Sequence, residues 1–297
     1  MRIVSLLPSA TEILFAVGAA DDVVGVTFEC DFPIEARARR IVSTTALPPG
    51  LTPVQIDAEV RARVARGEDL YTLDEGALSE LDPDMVVTQD LCAVCAVDVA
   101  NVDQALEHLG CRAEVITVDP MTLDEVLASI VTLGKATGND VQAEELVARL
   151  ERRLDGIAAV VRGRPRPRIA VLEWTDPPFS AGHWVPDMVA AAGAVSVLGV
   201  GGQRSRQIDW SDLVQSTPDA IVVAPCGYHL DGAAEMATGL TNSDHLPSAV
   251  ALWAVDADAA FVRPGPRLVD GIEALAAIAH PGAIPPRPDV ARRIDTR

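Results

Sequence analysis

Aromatic residues are scarce: five Phe, four Trp and two Tyr in 297 residues. A site built on flat stacking platforms therefore has few residues to draw on. Cysteine is sparse as well. The five cysteines, Cys30, Cys92, Cys95, Cys111 and Cys226, are odd in number and widely spread. They do not read as a disulfide framework and suit a reducing compartment. Basic residues are outnumbered, 24 against 43 acidic, for a net charge of −19. So acidic a chain repels phosphate backbones, and no nucleic-acid partner is expected. The short basic run RGRPRPR at 162–168 reads as a solvated turn. No stretch of 18 apolar residues occurs, so no membrane insertion is expected. The common enzyme fingerprints are also missing: no G-x-S-x-G, no P-loop and no G-x-G-x-x-G after a strand.

What is present is an alternation of short apolar runs and helical stripes. RIVSL, DVVGVT (22–27), DMVVTQ (84–89) and AEVITV (113–118) read as strands. LPSATE opens the first helix, where Ser9 and Glu12 stand at capping-box spacing. The stretch 97–109 places Val99, Val102, Leu106 and Leu109 on one stripe. Residues 122–163 carry no strand signal. They read as one helix up to Gly138 and a second to about Val161, the second about 34 Å long and able to brace two lobes. The strand–helix pattern then restarts with RIAVLEW (168–174), DAIVVAPC (219–226) and ALWAVDA (251–257), and a last helix is expected from Arg267 to His280. LDPDMVVTQDLC and STPDAIVVAPC occupy matching places in the two halves. The expected organisation is an N-terminal α/β lobe (1–120), a bridging helical segment (121–163), a C-terminal α/β lobe (164–280) and a loose, Pro-rich tail (281–297). Pro8, Ser9 and Glu12 interrupt any signal-like apolar region at the N-terminus, so a cytoplasmic protein is expected.

In open parallel sheets, ligands bind beyond the carboxyl ends of the strands. The candidate binding residues at those ends are Pro8, Ser9, Glu29, Cys30, Phe32, Asp90, Cys92, Cys95, Trp174, Phe179, His183, Trp184, Cys226, Tyr228, Phe261 and Arg263. The Cys-x-x-C at 92–95 supplies only two ligands where a structural zinc site takes four. A metal held there needs Cys30, Cys226 or His183 as well. Buried cysteines and loop tryptophans are more often packing residues than ligands. A thiol redox role for Cys92 and Cys95 is chemically open, since a helix N-terminus lowers a thiol pKa.

Three segments carry a family resemblance. RIVSLLPSATEILFAVGA, VVGVTFECDFPIEA and ELDPDMVV are similar to the N-terminal lobe of ABC-importer binding proteins for vitamin B12 and iron complexes. PRIAVLEWTDPPFSAGHWVPDMVAAAGA, STPDAIVV and FVRPGPRLVDGIEAL resemble the C-terminal lobe. The resemblance spans roughly residues 1–280. It implies two Rossmann-like α/β lobes bridged by a long helix, with a ligand cleft between them. It also implies a non-enzymatic protein that binds cobalamin or a related corrinoid, with an ABC importer permease as partner. Phe179, Phe261 and Arg263 match the family's cleft positions. Glu29 stands where the family carries an aromatic, and Ala260 where it carries Trp. The alternatives are an iron chelate, haem or a bare transition metal held by Cys and His, or a thiol redox or metal-dependent enzyme.

Overall fold

The computed structural model describes residues 1–66, 68, 70–89, 112–247 and 250–295. The chain divides into two compact units. Unit 1 comprises residues 1–119 and 128–147, and unit 2 comprises 120–127 and 148–297. The expected helix at 97–109 and the Cys-x-x-C lie outside the described residues.

Unit 1 is built on a sheet of order β4-β3-β2-β1-β5-β6. Its strands are β1 (Ile3–Ser5), β2 (Val23–Thr27), β3 (Arg40–Thr45), β4 (Tyr71–Leu73), β5 (Met85–Thr88) and β6 (Glu114–Thr117). All neighbours are parallel except β3 and β4. β1 and β5 are buried along their whole length, as expected for strands covered on both faces. Helices α1 (Pro8–Ala16), α2 (Pro53–Arg66) and α3 (Glu75–Leu81) connect them. The first helix starts one residue before the expected cap. Its N-cap is Leu7, no side chain caps it, and Pro8 occupies the first turn, where its missing N–H costs nothing. The Ser9–Glu12 capping box is therefore not formed.

Helices α4 (Leu123–Ala136) and α5 (Asp140–Val161, 22 residues) follow as read from the sequence. The turn between them closes with Gly138 at φ +70°. Gly134 lies so close to Ala143 that a Cβ on it would overlap the alanine's own. Glycine is required there for the two helices to approach.

Unit 2 has the sheet order β10-β8-β7-β11-β12-β13, with β9 also pairing β7. The strands are β7 (Arg168–Thr175), β8 (Pro178–Ser180), β9 (Val195–Val197), β10 (Arg206–Gln207), β11 (Ala220–Val223), β12 (Ala251–Val255) and β13 (Ala291–Ile294). β7, β9, β11 and β12 run parallel, while β8, β10 and β13 are antiparallel additions. Side chains alternate strictly between the two faces. Ile169, Val171, Ala220 and Val222 enter one buried cluster, and Ala170, Leu172, Ile221 and Val223 enter the other. Each such Leu or Ile contributes about 1.5–3 kcal/mol by leaving water. The covering helices are α6 (Val185–Ala191), α7 (Trp210–Gln215), α8 (Leu230–Leu240), α9 (Ala257–Ala260) and α10 (Leu268–Ala279).

The tail is not loose. Ala291–Ile294 pair with Leu252–Val255, and Val290 and Ile294 are buried. The proline-rich composition of 281–288 concealed a short strand after it. The tail is anchored a second time by charge. Arg153 on α5 bonds Asp270 (2.6 Å) and Glu273 (2.9 Å) on α10. Arg287 bonds the same two carboxylates, and Asp289 at 2.8 Å. Asp289 first, then Asp270, hold the Arg287 guanidinium above its already high ordinary pKa.

Candidate functional site

The chain order of each sheet reverses at one place, and open sheets bind ligands at the carboxyl ends beside such a reversal. In unit 1 the chain leaves β1 toward β2 on one side and returns to β5 on the other. In unit 2 it leaves β7 toward β8 and β9 and returns to β11. The candidate residues are best judged against these two edges, one unit at a time.

At the edge of unit 1, Pro8 and Ser9 form the first turn of α1 and are buried. The Ser9 hydroxyl is enclosed with no hydrogen-bond partner. Cys30, 2% exposed, closes a polar string. Ser5 Oγ donates to the Leu7 carbonyl (3.2 Å) and Thr11 Oγ1 donates to Ser5 Oγ (2.8 Å). Cys30 Sγ lies 3.0 Å from Thr11 Oγ1 at the end of this string. Cys30 has the setting of a packing residue. The turn beyond β2 turns outward instead: Phe28 and Phe32 are 40% and 45% exposed. Glu29 between them accepts a hydrogen bond from the Tyr71 hydroxyl at 3.3 Å. The Tyr71 ring lies 6.3 Å from that of Phe28. Asp90, Cys92 and Cys95 lie outside the described residues.

At the edge of unit 2, Trp174 from the end of β7 meets Tyr228, which follows β11, ring edge to ring at 5.8 Å and 60°. The Trp174 indole N–H donates to the Asp176 carbonyl (3.1 Å). Burial pushes the Tyr228 phenol above its ordinary pKa, so it stays a neutral hydroxyl. Cys226 is exposed on the same loop. Beside it His229 Nδ1 lies 3.0 Å from Asp256, which also caps α9 through the Ala259 N–H. Asp258 accepts from Arg263 at 2.6 Å. Phe179 sits half-buried in β8.

Two candidates of unit 2 belong to its core rather than to any surface. Phe261 is fully buried, and its carbonyl accepts the Trp184 indole N–H at 2.7 Å, with Trp184 itself 5% exposed. Both stand in loops beyond strand ends, Trp184 after β8 and Phe261 after β12. The helical turn of α9 then swings Phe261 inward, which the sequence did not show. His183 occupies a left-handed turn (φ +52°) held by loop 199–205. Its amide donates to the Gln203 carbonyl and its carbonyl accepts the Gly202 N–H. Its Nε2 is enclosed without a partner. Burial, then the charge of Arg204, lowers its pKa.

Among the described residues, the candidates Cys30, Cys226 and His183 are not gathered within a unit. Cys30 belongs to unit 1, and Cys226 and His183 stand on separate loops of unit 2. Sequence reasoning noted His229 after the strand at 219–226 without making it a candidate, and passed over Phe28, Tyr71, Asp256 and Asp258. Phe28, Asp256 and Asp258 stand just after strand ends and were findable by the same rule. Tyr71 arrives from the antiparallel strand β4, which has no such signal. A concavity of about 380 Å³ opens at the opposite, amino ends of unit 2's strands, beside Ile169, Ala220 and Trp253. It holds none of the candidates.

This double α/β arrangement is that of a substrate-binding protein. The chain belongs to the periplasmic binding protein family, whose model matches residues 3–251. It is 26% identical over 289 residues to the uncharacterized ABC transporter substrate-binding lipoprotein YvrC of Bacillus subtilis (strain 168), covering 94% of this chain and 80% of the relative. It is 23% identical over 278 residues to the vitamin B12-binding protein of Vibrio cholerae, covering 92% of this chain and 86% of the relative. The periplasmic heme-binding protein RhuT of Roseiflexus sp. RS-1, in apo form, shares the fold at a TM-score of 0.70 and 22% identity, over 95% of this chain and 98% of that one.

These matches overturn the expected cytoplasmic location. The family is periplasmic, and the Bacillus subtilis relative is a lipoprotein. Residues 3–5 and 8–16 are a strand and a helix of the folded unit, so their failure to resemble a signal peptide carried no information about compartment. The family is one of binding proteins, and the thiol-enzyme alternative finds no support in it.

Proposed function

We propose that this chain is the substrate-binding component of an ABC importer, that its cargo is cobalamin or a related corrinoid, and that it delivers this cargo to a permease. The observation that carries the reading is the near full-length match to a vitamin B12-binding protein together with a second importer binding protein. The carboxyl-edge loops are the proposed ligand contacts: Glu29 and Phe32 in unit 1, and Trp174, Phe179, Cys226, Tyr228 and Arg263 in unit 2. Pro8 and Ser9 are proposed to line the edge of unit 1. Cobalt belongs to the cargo in this reading, and the protein need hold no metal of its own. Half-buried Trp174 and Tyr228 offer apolar edges and one neutral hydroxyl, a surface suited to a large, largely uncharged ring.

Haem is the second reading, favoured by the shared fold with a heme-binding protein. Titration of the purified chain with cyanocobalamin and with hemin separates the two. One-to-one binding of cyanocobalamin, seen as quenched tryptophan fluorescence and co-elution on gel filtration, is the expected result. Binding of hemin alone would replace the first reading by the second.

A further inference from the structure

The turn Phe28–Phe32 presents two exposed rings with the carboxylates Glu29 and Asp31 between them. Isolated exposed apolar residues are ordinary, but two large ones within one short strand-end turn mark a contact surface. The turn is fastened to the sheet on its inner side. The Phe28 N–H donates to the Ser43 carbonyl (3.2 Å) and the Cys30 N–H to the Thr27 carbonyl (3.1 Å). The Cys30 thiol bonds Thr11. From the outer side Tyr71 reaches it, with its ring 6.3 Å from Phe28 and its hydroxyl on Glu29. A side chain on a sheet strand thus holds both a ring and a carboxylate of the loop, which lowers the ordering cost of binding.

We infer that Tyr71 is a positioning residue that sets Glu29 to accept N–H donors from a ligand whose rim carries carboxamides. The inference rests on the corrinoid reading and sharpens it. Phe28 and Phe32 offer apolar contact, and the carboxylate accepts hydrogen bonds but donates none. A ligand rim that fits must bring donors. The amide side chains of a corrin do so, whereas the propionates of a porphyrin bring like charge toward Glu29 and Asp31. The turn therefore selects on the chemistry of the rim, not on the metal at the centre.

The test compares the full chain with Tyr71→Phe and Glu29→Gln, each titrated with cyanocobalamin and with hemin and each melted without ligand. Tyr71→Phe keeps the ring against Phe28 and removes only the hydrogen bond. It is expected to bind cyanocobalamin about tenfold more weakly, one hydrogen bond's worth, at an unchanged Tm. Glu29→Gln is expected to narrow the preference for cyanocobalamin over hemin by a similar factor. Wild-type affinity and preference in both variants overturn the inference alone. A weaker Tyr71→Phe that melts proportionately lower, with the preference unchanged in Glu29→Gln, also overturns it. A wild-type protein that fails to bind cyanocobalamin overturns the corrinoid reading, and the inference falls with it.

Discussion

Two enclosed polar atoms set measurable properties of single residues. Ser9 Oγ has no partner in the first turn of α1. An enclosed hydroxyl without a hydrogen bond is a net cost, so Ser9→Ala should stabilise the ligand-free chain by about 1 kcal/mol. A higher urea midpoint at unchanged slope is the expected observation, and a lower midpoint would count against it. His183 gives a pH dependence. Its folded pKa lies below the ordinary 6.5, chiefly because burial disfavours the imidazolium. Below pH 6.5 the unfolded chain therefore takes up a proton that the folded chain refuses. Its contribution to stability is whole above that pH and is lost as pH falls toward the folded value. His183→Gln should flatten this acid-side fall in Tm. An equally steep fall in the variant would assign the effect to other groups.

At the scale of elements, the helical hairpin and the tail each hang on a few contacts. Gly134→Leu must separate α4 from α5 and should destabilise the chain by about 2 kcal/mol, visible as an earlier thermal transition. Arg287→Met leaves Asp270 and Glu273 to Arg153 alone and leaves Asp289 without its partner. A loss of about 1 kcal/mol is expected, since the network is only half-buried, and the deficit should shrink at high salt. The elements also show what sequence can convey. β1, β2, β5, β6, β7, β11 and β12 were legible because parallel strands read as apolar runs bounded by turns. α5 was legible to within a residue because its stripe repeats at helical spacing over 22 residues. β4, β8, β9 and β10, of two or three residues, were not, and neither was β3, whose RIVSTT is apolar only at Ile41 and Val42; β1 is as short but sits in the longer apolar run IVSLL. The site divides in the same way. Strand-end residues such as Trp174 and Tyr228 followed from position. The inward turn of Phe261, the contact of the Cys30 thiol with Thr11 and the reach of Tyr71 depend on packing between segments distant in sequence.

For the molecule as a whole, binding and stability are linked. A ligand that binds only the folded chain stabilises it by about 2.7 kcal/mol at a hundredfold excess over Kd. Cyanocobalamin should therefore raise Tm in step with its concentration, and hemin at matched concentration should raise it less. An unmoved Tm across the titration would deny that corrinoids bind the native fold.

The last strand carries one more consequence. β13 lies along the flank of β12 and is the outermost strand on that side of the sheet among the described residues. An uncovered sheet flank recruits strands from other molecules. Cutting the chain before Arg287 would strip that flank bare. The shortened protein is expected to emerge from size-exclusion chromatography as oligomers and aggregates, even under conditions where the helices, by circular dichroism, remain folded. In that outcome, β13 would matter for what it keeps away from β12 as much as for what it adds to the core.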